Sequence, residues 1–162
     1  MKLIFKHVVL ISALYLAANI NSASAATSTS NMAVTANVAA SCTITASPLP
    51  FGAFTGAQLD VNTSVSATCT NGAPYTIDLS AGAGTGATTS ARVMTNTNAT
   101  SNTLTYSIYT NVGRTTVCGV GCVSGATGNG TAQATTLYGR MTAASNPYVG
   151  PYTDTVVATL NY

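Results

Sequence analysis

Apolar side chains at every second position are the feature of this sequence that most constrains its fold. In residues 31–41 the alternation runs through Met32, Val34, Ala36 and Val38. The same period of two recurs in residues 61–69, 75–79, 104–108 and 152–162. Because successive side chains of a strand point to opposite faces, each run predicts a β-strand with one buried face. Helical periodicity is absent, so the pattern predicts an all-β protein.

Gly, Pro, Asn and Ser cluster between the alternating runs and mark turns. Asn71-Gly72 separates the runs at 61–69 and 75–79 and is typical of a two-residue hairpin, so we expect these strands to be antiparallel neighbours. Residues 81–90 have no large side chains and predict a loop, whereas the Gly-rich residues 119–130 are expected to be exposed. Turn signals about every ten residues predict an antiparallel β-sandwich.

Residues 1–25 have the pattern of a secretory signal peptide. Lys2 and Lys6 precede an apolar run at residues 8–18, and Ala23-Ser24-Ala25 resembles a cleavage site. The run is shorter than the roughly 20 residues needed to span a bilayer. A retained membrane anchor is the alternative interpretation. We therefore expect export, and no membrane insertion of the mature chain.

Removal of these residues leaves a chain with no formal net charge. The whole sequence has five basic and three acidic residues. The charged residues after position 25 are Arg92, Arg114, Arg140, Asp60, Asp78 and Asp154. A neutral surface predicts no nucleic acid partner and little electrostatic repulsion between copies.

The mature chain offers little catalytic chemistry. His7 leaves with the signal peptide, so nucleophilic sites that pair Ser or Cys with His are excluded. A paired-carboxylate site would need two of three scattered aspartates, and nothing in the sequence singles out a pair. We expect no enzymatic activity, no catalytic residues and no cofactor.

Four cysteines, an even number in an exported chain, predict disulfide bonds. Three connectivities are possible, and we favour Cys42–Cys69 with Cys118–Cys122. A zinc site is the alternative, but Cys-x3-Cys without histidine is a poor ligand set. We therefore expect no bound metal.

The pairing of the two terminal strands is left open by the alternation. Residues 31–41 can form the first strand of their own domain or complete the sheet of a neighbouring subunit. Residues 152–162 predict the last strand. Its shared face would carry Val156, Ala158, Leu160 and Tyr162.

An ordered set of short strings covers nearly the whole mature chain. It comprises Ser41-Cys42-Thr43, Thr68-Cys69-Thr70-Asn71-Gly72, Pro74-Tyr75-Thr76, Leu104-Thr105-Tyr106, Arg114-Thr115-Thr116, Leu137-Tyr138-Gly139-Arg140 and Tyr152-Thr153-Asp154-Thr155-Val156. Together the strings resemble the spore coat protein U family, which includes the Csu-type pilins of the archaic chaperone–usher pathway. The chain departs from that family at Cys118, where an aromatic residue is often found.

The resemblance implies an incomplete immunoglobulin-like antiparallel β-sandwich, completed by donor-strand exchange. It divides the chain into a signal peptide (1–25), an N-terminal donor-strand segment (26–40) and a pilin domain (41–162). The donor side chains would be Met32, Val34, Ala36 and Val38. The strand that carries Val156, Ala158, Leu160 and Tyr162 would border the acceptor groove and contact the chaperone. The resemblance also implies the Cys42–Cys69 disulfide.

The function implied by the resemblance is that of a structural subunit of an adhesive surface pilus, with a role in attachment and biofilm formation. Its partners would be neighbouring subunits, a periplasmic chaperone and an outer-membrane usher. A secreted spore-coat or matrix protein of the same fold is the alternative. A carbohydrate-binding tip module is a third hypothesis, although such adhesins need a second binding domain.

Overall fold

The computed structural model describes residues 24–162, which fall into two units that divide after Asn37. Residues 24–37, in the first unit, contain no helix or strand. The second unit, Val38–Tyr162, contains nine strands and no helix. The strands are β1 (Cys42–Ala46), β2 (Leu59–Cys69), β3 (Pro74–Leu79), β4 (Arg92–Asn96), β5 (Thr103–Tyr109), β6 (Val123–Thr127), β7 (Ala132–Met141), β8 (Tyr152–Thr153) and β9 (Ala158–Asn161).

The strands form two sheets. The larger sheet has six strands in the order β1-β2-β7-β5-β4-β8, and the smaller has three in the order β6-β3-β9. All pairings between these strands are antiparallel. The predicted all-β antiparallel sandwich is therefore confirmed.

One hydrophobic core lies between the sheets, and it is built from the alternating positions. From the larger sheet it takes the buried side chains Val65, Ala67, Leu104, Tyr106, Ile108, Leu137 and Met141. From the smaller sheet it takes Tyr75, Ile77 and Leu79. Each large apolar side chain buried in this way stabilises the fold by about 1.5–3 kcal/mol. The period of two thus identified the faces that hold the sheets together.

The predicted hairpin at Asn71-Gly72 is wrong. A tight turn is present, since the Ala73 amide donates to the Thr70 carbonyl at 3.0 Å and Gly72 has a φ of 84°. However, β2 pairs with β1 and β7, whereas β3 pairs with β6 and β9. The turn therefore carries the chain from one sheet to the other. A hairpin and this crossing both bury the same side chains, so alternation alone does not distinguish them.

One further expectation is corrected, and one strand was not expected. Residues 152–162 do not form one strand, because β8 pairs with β4 in the larger sheet and β9 pairs with β3 in the smaller. The Gly-rich residues 119–130 are mostly exposed or half-buried, but they contain β6, which the sequence pattern did not predict. In both places tertiary pairing overrides the local pattern. Residues 81–90 form no strand, as predicted.

A fully buried cation lies inside the sandwich at Arg92. Its guanidinium donates to the carbonyl oxygens of Ser80 (3.0 Å), Thr89 (2.7 Å) and Cys118 (2.8 Å). Burial lowers the pKa of Arg92 because the charged form loses hydration. The side chain ties the loop after β3 to the segment before β6.

Replacing this arginine should be strongly destabilising. Arg92→Met keeps much of the volume but leaves three carbonyl groups without their donor, and each buried unsatisfied group costs about 1–3 kcal/mol. We therefore expect urea unfolding to show a loss on the order of 3 kcal/mol or more. Arg140→Met, at an exposed ion pair, is the matched control and should have a small effect. Equal losses in the two variants would contradict this role of Arg92.

Candidate functional site

An apolar groove with a volume of about 530 Å³ opens into the core of the sandwich. One wall is formed by residues 46–51, which follow β1, together with residues 63–65 of β2. The other wall is formed by residues 152–156 and Ala158. Its floor consists of core side chains, namely Val65, Leu79, Tyr106, Ile108 and Leu137. The groove thus lies directly over core side chains, which are themselves buried.

The strands β1 and β9 lie close to each other, and each contributes one residue, Ala46 or Ala158, to the lining of the groove. Among the described strands, β1 pairs with β2 alone and β9 pairs with β3 alone. Each strand therefore has one edge of backbone N–H and C=O groups without a strand partner, and such an edge can bind an extended chain. The arrangement suits an added strand with one apolar face.

The apolar surface continues beyond the groove into a second cavity of about 660 Å³. Leu49–Phe51, Met94 and Tyr152 line both cavities. The loop at residues 147–151 forms the far wall, and buried Asn96 anchors it by donating from Nδ2 to the Val149 carbonyl at 3.4 Å. The two cavities therefore share part of their lining.

Tyr106 and Asp154, which both line the groove, form a strong polar contact. The Tyr106 hydroxyl donates to Asp154 Oδ2 at 2.7 Å, and Asp154 Oδ1 accepts from the Ala83 and Thr155 amides, each at 2.7 Å. These contacts hold the chain in a non-strand conformation between β8 and β9. Burial raises the pKa of Tyr106, and the hydrogen bond to Asp154 raises it further because it favours the neutral phenol.

The raised pKa of Tyr106 predicts a loss of stability in alkali. In the unfolded chain a tyrosine ionises near pH 10, whereas the folded protein keeps Tyr106 protonated to higher pH. Its contribution is therefore complete below about pH 10 and falls as the pH rises above it. Urea unfolding between about pH 8 and pH 11 should show a smaller decline for Tyr106→Phe than for the wild type. Tyr109→Phe is the control, and an identical decline in all three proteins would contradict the prediction.

The predicted C-terminal face is only partly continuous. Val156, Ala158 and Leu160 are half-buried and pack against the core, and Val156 and Ala158 line the groove. Tyr162 follows the last residue of β9 and is 63% exposed, so it does not share this buried face. Val156 precedes β9 and lies outside a strand.

The predicted donor side chains lie in residues 24–41, a stretch that forms no strand. Met32, Val34 and Val38 are 87%, 85% and 81% exposed, and Ala36 is also exposed. The first strand begins at Cys42. Residues 31–41 therefore do not form the first strand of a sheet, although their alternation is typical of a strand. The predicted signal peptide lies almost wholly outside the described residues.

The four cysteines form the bonds Cys42–Cys69 and Cys118–Cys122. Cys42 and Cys69 are directly opposite each other in the β1–β2 ladder, with Cα atoms 4.1 Å apart. This bond fixes β1, which contributes to the groove wall, to the larger sheet. Cys118 and Cys122 close a short loop before β6.

An ion cluster on the outer face of the larger sheet was not found from the sequence. Asp60 and Arg140 are opposite each other on β2 and β7 and form two hydrogen bonds of 2.8 Å. The hydrogen bond from Arg140 lowers the pKa of Asp60. Arg114 is 3.5 Å from the same carboxylate and lies over the Tyr138 ring. These residues are distant in sequence, so only the strand register could have predicted the cluster.

Residues 24–162 contain no group of three or more His, Cys, Asp or Glu side chains placed to hold a metal ion. No helix in that range is long and apolar enough to cross a membrane.

Comparison with solved structures finds a similar fold in a crystal structure of the CsuC–CsuE chaperone–tip adhesion subunit pre-assembly complex from archaic chaperone–usher Csu pili of Acinetobacter baumannii. The TM-score is 0.52 at 21% sequence identity, and the match covers 77% of this chain and 40% of that chain. This likeness concerns the fold, and it agrees with the predicted immunoglobulin-like sandwich. No curated protein matches the sequence.

The model of the Spore Coat Protein U domain matches residues 28–159, which is most of the chain. The match includes both the exposed alternating segment and all nine strands of the sandwich apart from the end of β9. The resemblance inferred from the short strings is confirmed, and the chain belongs to the Spore Coat Protein U domain family.

Proposed function

We propose that this protein is a structural subunit of an adhesive chaperone–usher surface pilus, polymerising by N-terminal donor-strand exchange. The observation that carries the proposal is the apolar groove over the core, whose lining includes Ala46 of β1 and Ala158 of β9, two strands that each have one edge without a partner among the described strands. Membership of the Spore Coat Protein U domain family supports it, as does the fold shared with a chain from a pilus-subunit complex. A groove of this kind, built into a sheet edge, is suited to binding an extended peptide.

In this proposal residues 1–25 are a signal peptide, residues 26–40 donate a strand and residues 41–162 form the pilin domain. Met32, Val34, Ala36 and Val38 enter the groove of a neighbouring copy. Burying Met32, Val34 and Val38 contributes about 1.5–3 kcal/mol each, on the order of 5–9 kcal/mol per joint before ordering costs. This sum is an upper estimate, because the free segment already shields part of its apolar surface.

The acceptor side of the joint is the groove wall that contains Val156 and Ala158, with β9 beside it. A periplasmic chaperone occupies the groove first, and the donor segment of the next subunit replaces it at the outer-membrane usher. The free energy of completing the sandwich drives this exchange, so no nucleotide is needed. The pilus then extends from the cell surface.

The role we propose for the fibre is attachment to surfaces and biofilm formation. A secreted spore-coat or matrix protein of the same fold is the alternative, and it would use the sandwich without forming chaperone–usher fibres. The family match supports both roles, because its description refers to a spore coat protein. Polymerisation through residues 26–40 distinguishes them.

A charge placed on the apolar face of the donor segment should abolish polymerisation. Val34→Asp or Val38→Asp would bring an unpaired carboxylate into an apolar groove, which is strongly unfavourable. Thr35→Asp adds the same charge to the opposite face of the strand and should leave polymerisation largely intact. Fibres are measured by electron microscopy after co-expression with the chaperone and usher. Normal fibres from Val34→Asp and Val38→Asp would contradict the proposed joint.

Deletion of residues 26–39 should remove a heat-labile ladder of polymers. Strand-exchanged subunits dissociate only when the sandwich unfolds, so unheated samples should show multimers and heated samples should show monomers. Electrophoresis of surface protein with and without heating measures this difference. A wild-type protein that runs as a monomer without heating would favour the secreted coat or matrix protein.

A further inference from the structure

We infer that the loop closed by Cys118 and Cys122 fixes the position of β9 through Asp78, so that Asp78 acts as a positioning residue for the groove. The effect of Asp78 on strand binding in the groove rests on the proposed function. The claim that Asp78 holds β9 concerns the sandwich alone. We refer to the two hydrogen bonds of the Asp78 carboxylate as the Asp78 bridge.

The strand β9 is short and has one strand partner. It has four residues and, in the described part of the chain, pairs with β3 alone. Ala158 and Leu160 pack against the core, and Val157, just before the strand, is hydrogen-bonded to Ser80. At its C-terminal end, Asn161 donates to Asp78, so this carboxylate adds a polar contact where the strand ends.

The loop of residues 118–122 is attached to both sheets. The buried Cys118 donates its amide to the Ile108 carbonyl in β5 at 2.8 Å, and its own carbonyl accepts from Arg92 at 2.8 Å. The Gly119 carbonyl accepts from the Leu79 amide at the end of β3 at 2.9 Å. These hydrogen bonds hold the loop on the side of β3 away from β9.

The Asp78 bridge joins this loop to the end of β9. Asp78 Oδ1 accepts from the Gly121 amide at 2.6 Å, and Oδ2 accepts from Asn161 Nδ2 at 2.9 Å. Asp78 is opposite Thr159 in the β3–β9 ladder, so its carboxylate is close to both partners. Hydrogen bonds to an ionised carboxylate are shorter and stronger than those between neutral groups. One side chain thus connects the anchored loop to the last residue of β9.

The disulfide provides the geometry that the bridge needs. Gly121 has a φ of 65°, a left-handed conformation that suits glycine, and this conformation presents its amide to Asp78. The Cys118–Cys122 bond closes the loop, so the Gly119 carbonyl and the Gly121 amide are held at the same time. A loop without the bond would have more conformations to lose when it binds β3 and Asp78. The short disulfide therefore has a structural function, which is to hold the loop that binds β3 and Asp78.

Hydrogen exchange measured by mass spectrometry tests the structural part on the whole mature protein. Asp78→Asn and Asn161→Ala should each speed exchange of the β9 amides about tenfold, because local opening becomes easier, while β1, β2 and β7 remain unchanged. Cys118→Ser/Cys122→Ser should have a similar effect, and adding Asp78→Asn to it should cause little further change, because both act through one connection. Asp60→Asn removes an aspartate on the other sheet and is the matched control. Unchanged β9 exchange in Asp78→Asn and Asn161→Ala would overturn the inference.

A second measurement tests the consequence for the groove. A synthetic peptide of residues 28–40 is added to each protein, and its uptake is followed by the mass of the complex. We expect Asp78→Asn and Asn161→Ala to take up the peptide several-fold more slowly than the wild type and Asp60→Asn. Faster β9 exchange with unchanged uptake would overturn the positioning role of Asp78. If the wild type takes up no peptide, the proposed function fails, while the exchange measurement still decides whether the Asp78 bridge holds β9.

Discussion

Two antiparallel sheets enclose a core only where it is covered, and here an apolar groove lined by residues 46–51 and 152–156 reaches the core side chains. The side chains on the floor of the groove, including Val65, Ile108 and Leu137, are the same ones that hold the two sheets together. Apolar surface that reaches water at this opening has an unfavourable free energy until it is covered. In the proposed function, strand binding would therefore use the same core side chains as folding, and a donated strand would pair at the edges of β1 and β9 that have no partner among the described strands.

The few charged side chains of the described residues serve the interior and the connections of the sandwich. Arg92 is buried and bound to carbonyl oxygens, Asp154 holds the segment between β8 and β9, and Asp78 connects a loop to β9. Asp60 is shared by two arginines on the outer face. Because its charges are paired or hydrogen-bonded in this way, there is little electrostatic repulsion between copies of the domain. That property suits a protein whose proposed function is assembly.

The sequence predicted the faces of the strands better than their partners. Alternation depends only on which side of a strand each residue occupies, so it identified Val65, Ile77 and Ile108 as core residues. It did not predict that β2 and β3 belong to different sheets, because a hairpin and a crossing at Asn71-Gly72 bury the same side chains.

The residues that sequence reasoning missed depend on contacts between distant parts of the chain. Arg92 occupies a core-facing position in β4, and its three carbonyl partners lie in segments without regular structure. Asp60 and Arg140 meet only because β2 and β7 pair in one register. No local pattern carries this information. The groove could be anticipated from the family resemblance, but its walls are set by residues 46–51 and 152–158, whose conformations follow from such long-range contacts.

The two disulfides restrict different parts of the sandwich. Cys42–Cys69 spans a sequence separation of 27 residues and, in the chain-entropy model, stabilises the fold by roughly 3.5 kcal/mol, while Cys118–Cys122 spans 4 and contributes about 2 kcal/mol. The first bond holds β1 to the larger sheet, and the second closes the loop that contacts β3 and Asp78. In the proposed exchange, an edge strand that changes partners cannot depend on a partner for its position. β1 would then be held through its disulfide to β2, and β9 through its pairing with β3 and the Asp78 bridge.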